Sequence, residues 1–179
     1  SMRKVLKNWA SFILVPLTRW YLRKKRNYNH RGVVVSVHPD VFHPGLFSST
    51  TFILHYLESC QLADRTLLEL GCGTGLISLV ATKAGARVTA LDISSAAVEN
   101  TTVNAKIHNA PMHILRSDLF SNLTKQIFDW IIINPPYYAH DPGNERDMAW
   151  FCGKNFEYFQ GLFKGLPAYI RPTSNIIMV

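Results

Sequence analysis

The sequence has few cysteines and no long apolar run. Its 179 residues include only three cysteines, Cys60, Cys72 and Cys152, which are widely spaced and form no CxxC pair. Such a sparse, odd-numbered set argues against a disulfide framework and is typical of a reducing compartment, so we expect a cytoplasmic location. The apolar stretch at residues 9–17 is interrupted by a serine and a proline. It is also shorter than the roughly 20 residues that a membrane-spanning helix needs. The seven histidines are scattered, and the sequence indicates no metal site.

Acidic residues are absent from residues 1–31, which carry nine of the 19 Lys and Arg residues. The rest of the chain has slightly more acids than bases, so the formal charge of +7 belongs to this N-terminal segment. Apolar residues at spacings of three and four predict a helix over about 3–26. We therefore expect a basic N-terminal helical arm (1–31) and one further domain (32–179). Three uses of the arm stay open: packing on the domain, contact with nucleic acid through Arg23–Arg26, or contact with a membrane surface.

Strands and helices alternate through the rest of the sequence. The predicted strands lie at about 33–37, 66–70, 87–91, 112–115, 127–133 and 175–179. The predicted helices lie at about 50–59, 76–84, 94–108 and 147–169. This alternation predicts an α/β fold with a doubly wound, mostly parallel sheet and right-handed crossovers.

A glycine-rich turn follows the strand at 66–70. Residues 68–75 read LELGCGTG, which is a G-x-G-x-G pattern. Glycines let the backbone turn sharply there and approach a ligand without a Cβ in the way. A dinucleotide-binding turn would carry its third glycine at position 76, which is Leu76 here. The pattern therefore favours a cofactor that has no pyrophosphate.

Polar residues follow the next three strands. Asp92 ends one strand, where a carboxylate can accept hydrogen bonds from ribose hydroxyls. Asp118 follows the next strand, and Asn134-Pro135-Pro136-Tyr137 follows the buried run that ends at Ile133. Ligands bind at the carboxyl ends of parallel strands, so we expect these residues to lie in one site.

The ordered set of glycine turn, Asp92 and NPPY resembles class I S-adenosylmethionine (SAM) methyltransferases. It is similar to the HemK-type N5-glutamine methyltransferases and to the "small methyltransferase" group, which includes RNA adenine and guanine amine methyltransferases. The resemblance covers about residues 41–138, and it implies S-adenosyl-L-methionine as the cofactor. It places the following residues at the cofactor: Glu69, Gly71, Cys72, Gly73, Gly75, Asp92, Ile93, Asp118 and Leu119, with Phe47 and Thr50 from an upstream loop. A structural ion pair is the competing interpretation of Glu69.

The same resemblance assigns the chemistry to Asn134, Pro135 and Tyr137. The Asn134 side-chain oxygen and the Pro135 carbonyl would accept hydrogen bonds from the acceptor nitrogen, and Tyr137 would stack on its flat group. The Pro-Pro pair stiffens the loop that carries these acceptors.

The motifs leave the substrate open. A protein glutamine amide in a translation release factor is one hypothesis, and an exocyclic amine of an RNA base is the other. The basic arm, which contains aromatic residues, suits a phosphate backbone or a protein partner. An NAD-dependent oxidoreductase and a SAM-binding subunit without turnover are further alternatives.

The C-terminal end of the sequence falls within the last predicted strand. The resemblance implies a sheet of seven strands, and this sequence ends at the fifth, at residues 175–179. We therefore expect the methyltransferase domain (32–179) to be C-terminally incomplete, with the last two strands missing from it.

Overall fold

The structure is a computed structural model that describes residues 25–46, 48–136, 142–143 and 151–179. The helix predicted over about 3–26 lies almost entirely outside these residues. Within the described residues, no helix is long and apolar enough to cross a bilayer.

The described residues form seven strands and four α-helices. The strands are β1 (Arg26–His30), β2 (Val33–Val37), β3 (Thr66–Leu70), β4 (Arg87–Asp92), β5 (His113–Arg116), β6 (Trp130–Ile133) and β7 (Asn175–Met178). The helices are α1 (Ser48–Glu58), α2 (Leu76–Lys83), α3 (Ser95–Ile107) and α4 (Glu157–Gly165). Short 3-10 helices lie at Pro44–Leu46 and Leu166–Tyr169.

Strands β3 to β7 form one parallel sheet in the order β5-β4-β3-β6-β7. Alternate side chains of the central strands enter two apolar clusters, because successive side chains of a strand point to opposite faces. Leu67 and Ile132 pack with α1, α2 and β2 on one face. Leu68 and Ile131 pack with α4 on the other. The predicted doubly wound α/β fold is confirmed. Strand order reverses between β3 and β6, which is where open α/β sheets bind their ligands.

A separate two-stranded sheet contains β1, a strand that the sequence reading missed. β1 pairs with β2 in antiparallel register, from Arg26 opposite Val37 to His30 opposite Val33. Arg31 and Gly32 both have positive φ, as a type I′ hairpin turn requires, and the Asn29 side chain accepts a hydrogen bond from the Gly32 N–H. Residues 26–30 therefore belong to a hairpin rather than to a helical arm, while the domain boundary at residue 31 stays a prediction.

The helix predicted over 147–169 begins later than expected in its described part. Residues 151–156 are irregular, and α4 begins at Glu157. Gly153 (φ 87°) and Phe156 (φ 60°) lie in the left-handed region, which a continuous helix cannot accommodate. The irregular segment turns its backbone toward the edge of the sheet where the candidate site lies.

Candidate active site

A cavity of about 460 Å³ opens at the carboxyl edge of the sheet, at the ends of β3, β4 and β6. This volume is typical of small-molecule sites. The glycine turn and the residues after β4, β5 and β6 form part of its wall. Two further segments, residues 40–44 and 151–161, also line it, together with Pro142 and with residues of α1, α2 and α3.

The glycine turn is anchored to the end of β4. The N–H groups of Gly71 and Cys72 both donate to the Leu91 carbonyl, at 2.8 and 2.9 Å. Gly71, Cys72 and Gly73 line the cavity, as predicted. Gly75 is not among the described residues that line it. Gly75 instead has φ 78°, and a Cβ there would lie 2.7 Å from Cγ2 of Thr101. Because residue 75 has no side chain, α3 can pack closely against the turn.

Asp92 joins the glycine turn to the segment that leads into α3. One carboxylate oxygen accepts from the Gly73 N–H at 3.0 Å, and the other accepts from the Ser94 N–H at 2.9 Å. The side chain is half-buried in the cavity wall beside Ile93. A carboxylate oxygen can accept more than one hydrogen bond, so Asp92 keeps acceptor capacity for a vicinal diol.

Glu69 is a buried acid in the wall below the turn, with 3% of its surface exposed. Its carboxyl group accepts hydrogen bonds from the backbone N–H (3.0 Å) and the hydroxyl of Ser78. Both donors belong to the N-terminal end of α2, and no ion pair of Glu69 is present among the described residues. Burial raises the pKa of Glu69 to about 8, and the hydrogen bonds from Ser78 oppose that rise only in part.

Asp118 and Leu119 lie at the rim, in the loop after β5. Leu119 has φ 46°, and its carbonyl accepts from the Ser117 hydroxyl at 2.8 Å. The same hydroxyl accepts from the Asn122 N–H at 3.0 Å, so the loop is held from both sides. The Asp118 side chain is exposed at the mouth.

Asn134, Pro135 and Pro136 line the cavity beside the glycine turn. Ile133 is paired with Leu70, so Asn134 continues beside Gly71. A Cβ on Gly71 would lie 3.8 Å from the Asn134 carbonyl oxygen. Both prolines are buried. Of the remaining predicted site residues, Thr50 lines the cavity, whereas Phe47 and Tyr137 lie outside the described residues.

Sequence reasoning missed the residues that α4 and the segment before it contribute. Tyr158 lines the cavity near Asp92 and Asp118. Burial raises the pKa of the Tyr158 hydroxyl, and the two carboxylates add to the effect. Cys152 is buried and also lines the cavity. No motif in the sequence marks these positions, which reach the site only because α4 packs across the sheet.

The glycine turn, Asp92 and the Asn-Pro-Pro segment thus meet in one cavity, and the comparison with known families agrees. The model of the methyltransferase small domain family matches residues 32–151. The chain belongs to this family. The prediction of a class I SAM-dependent methyltransferase is confirmed, and its cofactor is S-adenosylmethionine.

Relatives of this methyltransferase domain have different named substrates. A Methanocaldococcus jannaschii protein is 38% identical over 146 residues, which are 78% of this chain and 72% of the relative. It is named as a protein N5-glutamine methyltransferase, and that name gives the activity as provisional. A ribosomal protein L11 methyltransferase of Thermosipho africanus is 35% identical, over 64% of this chain and 44% of that protein.

Solved structures share the fold at lower identity. A T. thermophilus 16S rRNA N2 G1207 methyltransferase, in complex with AdoMet and guanosine, matches with a TM-score of 0.62 and 22% identity over 87% of this chain. This chain spans 41% of that structure's length. The L11 methylase of Lactobacillus delbrueckii subsp. bulgaricus matches with a TM-score of 0.56 and 21% identity, over 79% of this chain and 64% of its own.

The residues present fit the family's cofactor. Gly71 places no side chain in the cavity wall next to the Asn134 backbone, and Gly73 places none next to Val41. Asp92 supplies acceptors at a fixed position, and Asp118 supplies a carboxylate at the mouth. A nucleoside with a diol and an exocyclic amine can be bound by such a donor and acceptor set.

Proposed function

We propose that this domain transfers the methyl group of S-adenosylmethionine to a planar nitrogen, and that the acceptor is the side-chain amide of a protein glutamine. The observation that carries the proposal is the position of Asn134-Pro135-Pro136, at the cavity wall and directly beside the glycine turn. The name of the M. jannaschii relative, of which this chain covers 72%, supports glutamine as the acceptor.

Four parts of the chain would hold the cofactor. The backbone of Gly71 and Gly73 would lie against it, Asp92 would accept hydrogen bonds from its ribose, and Asp118 would accept from its adenine amine. When bound, the cofactor supplies a methyl group on a sulfonium, which is a strong electrophile. Tyr158, near both carboxylates, would close the same side of the cavity.

The chain's own contribution to transfer would be to orient the acceptor. The lone pair of an amide nitrogen is delocalised, so the nitrogen is a poor nucleophile. The Asn134 side-chain oxygen and the Pro135 carbonyl would accept hydrogen bonds from its two N–H groups and direct the lone pair toward the methyl group. The buried prolines fix both acceptors before the substrate arrives, so little reorganisation is required during reaction.

An RNA base amine is a second candidate, and one structural observation favours it. The basic segment enters the fold at Arg26, the first residue of β1, and Tyr28 of the same strand packs edge-on against His43. Burial and then the nearby Arg26 charge lower the pKa of His43. Phe42 and Pro44, on either side of His43, line the cavity. Arg26 therefore places one positive charge of the basic run beside this part of the cavity wall, where it could contact a phosphate backbone.

Methyl-labelled SAM distinguishes the two acceptors. The protein is incubated with labelled SAM and an extract from a methylation-deficient source, and the product is then treated with protease or with RNase. Label that protease releases and RNase does not supports the glutamine proposal. Release by RNase alone would contradict it and favour a base amine.

Two substitutions test the assigned roles. Asn134→Ala should reduce transfer by at least about 100-fold while SAM affinity stays within a few-fold, because Asn134 orients the acceptor. Asp92→Ala should instead abolish SAM binding. Affinity is measured by calorimetry and transfer by incorporation of label.

Asn175→Ala is the matched control. Asn175 is an exposed asparagine at the amino end of the sheet, where it pairs with Trp130 at the start of β6. Its substitution should change neither SAM affinity nor transfer. Full activity in Asn134→Ala would mean that the Asn-Pro-Pro segment does not orient the acceptor.

A further inference from the structure

The inner face of α3 carries three polar side chains where a helix normally carries apolar ones. Asn100 is 5% exposed, and Thr101 and Asn104 are fully buried. Buried polar groups are costly unless they form hydrogen bonds, so their partners indicate what this face does.

The two asparagines bind the backbone of β2. The Asn104 side-chain oxygen accepts from the Ser36 N–H at 2.8 Å, and its amide group donates to the Ser36 carbonyl at 2.8 Å. The Asn100 amide donates to the same carbonyl at 2.7 Å, while its oxygen accepts from the His38 N–H at 2.8 Å. The other edge of β2 pairs with β1. Side chains of α3 thus take the place of a neighbouring strand.

The same helical face also binds the glycine turn. The Asn104 amide donates a second hydrogen bond, to the Thr74 carbonyl at 2.9 Å. The Thr101 hydroxyl donates to the Gly73 carbonyl at 3.0 Å. One face of α3 therefore joins β2 to the turn; we call the set Asn100, Thr101 and Asn104 the α3 clamp.

The two parts that the clamp joins both line the SAM cavity. Gly73 and Thr74 line it from the glycine turn. β2 continues into residues 40–44, and Asp40, Val41, Phe42 and Pro44 of this segment line the cavity next to the turn, since a Cβ on Gly73 would lie 3.8 Å from Cγ1 of Val41. Neither asparagine is among the described residues that line the cavity. Any effect of the asparagines on the cofactor must therefore pass through the backbone that they hold.

We propose that Asn100 and Asn104 are positioning residues of the SAM site, which fix the 40–44 wall against the glycine turn. Their substitution should weaken SAM binding. Residues 40–44 would then have to be ordered when SAM binds, and that ordering has a cost in free energy. By linkage, bound SAM should stabilise the clamp to the same extent. The inference rests on SAM binding and not on which nitrogen accepts the methyl group.

The test compares Asn100→Ala and Asn100→Asp with the wild type. Asn100→Asp keeps the acceptor for the His38 N–H but sets a carboxylate oxygen against the Ser36 carbonyl. We expect both variants to melt cooperatively and to bind SAM at least about tenfold more weakly by calorimetry, with kcat at saturating SAM close to that of the wild type. A raised KM for SAM with a preserved kcat separates positioning from a direct part in the chemistry.

Tyr169→Phe is the matched control for loss of a buried hydrogen bond. The Tyr169 hydroxyl donates to the Leu123 carbonyl at 3.3 Å in the apolar cluster on the α4 face. This variant should lose stability but keep the wild-type SAM affinity. If Asn100→Ala also lost stability without any change in affinity, the clamp would serve packing alone and the proposal would fail.

Amide hydrogen exchange tests the clamp without any substitution. Saturating SAM should slow exchange at the Ser36 and His38 amides of the wild-type protein, and unchanged exchange there would contradict the proposal. A wild type that bound no SAM would contradict both this inference and the proposed function. SAM binding with transfer to some other acceptor would contradict the proposed function only.

Discussion

Glu69 is a buried acid whose pKa departs far from its ordinary value. Its carboxyl group is buried in β3, and the two hydrogen bonds from Ser78 leave its pKa at about 8, against an ordinary value of 4.5. Between these values the folded state holds a proton that the unfolded state has released. The contribution of Glu69 to the free energy of unfolding is therefore fully present at low pH, and it is lost as the pH rises toward 8.

Glu69→Gln should remove this dependence, because the amide cannot titrate and can still accept from Ser78. Urea unfolding of the SAM-free protein at about pH 5, 6.5 and 8 measures it. Other titrating groups contribute equally to both proteins, so the difference reports Glu69. We expect a shallower decline of stability with pH in the variant, whereas parallel declines would mean that Glu69 ionises normally.

Individual site residues could be predicted from the sequence where they belong to a recognisable motif. Asp92, Asp118 and Asn134 were predicted from their order after successive strands, and all three reach the cavity. Tyr158 could not be predicted, because its position in the wall depends on how α4 packs across the sheet. Gly75 was assigned to the cofactor by resemblance, yet its structural surroundings are the side chain of Thr101.

Among the elements, the glycine turn and α3 are tightly packed against each other at Gly75. Gly75→Ala would place an L-residue at φ 78°, at a cost of about 1–2 kcal/mol. It would also force a Cβ to within 2.7 Å of Thr101 Cγ2, and such overpacking costs about 1–3 kcal/mol. We therefore expect a total loss of about 2–5 kcal/mol in the free energy of unfolding.

A double-mutant cycle separates the two contributions. Thr101→Ser removes Cγ2 and keeps the hydroxyl that donates to Gly73. In the Gly75→Ala background it should restore some of the stability lost to overpacking, since Oγ1 and Cβ of residue 101 stay 3.0 and 3.2 Å from the new Cβ, and none of the stability lost to backbone strain. Urea unfolding of the four proteins provides the coupling energy. Strictly additive losses would contradict the contact between residues 75 and 101.

The success of sequence prediction varied with the kind of element. The central strands were predicted because they are continuous apolar runs, which parallel buried strands require. β1 was missed because its sequence, RNYNH, is polar and gains its strand conformation from β2 and the Arg31–Gly32 turn. The start of α4 was misplaced because left-handed residues at 153 and 156 interrupt an otherwise helical pattern.

For the whole molecule, the α/β sheet brings motifs distant in sequence to one edge. The glycine turn, Asp92 and Asn134 span more than 60 residues of chain and line a single cavity of about 460 Å³. The family match, residues 32–151, includes this span. The basic segment at residues 1–31 gives the chain its net positive charge without adding to this cavity's described lining.

The most direct test of nitrogen methylation is to locate the transferred group. The protein is incubated with trideuteromethyl-labelled SAM and the methylation-deficient extract, and the digested products are analysed by tandem mass spectrometry. We predict that the label is found on the side-chain amide nitrogen of a glutamine. Label on an oxygen, sulfur or carbon atom would contradict methyl transfer to a planar nitrogen through Asn134-Pro135-Pro136.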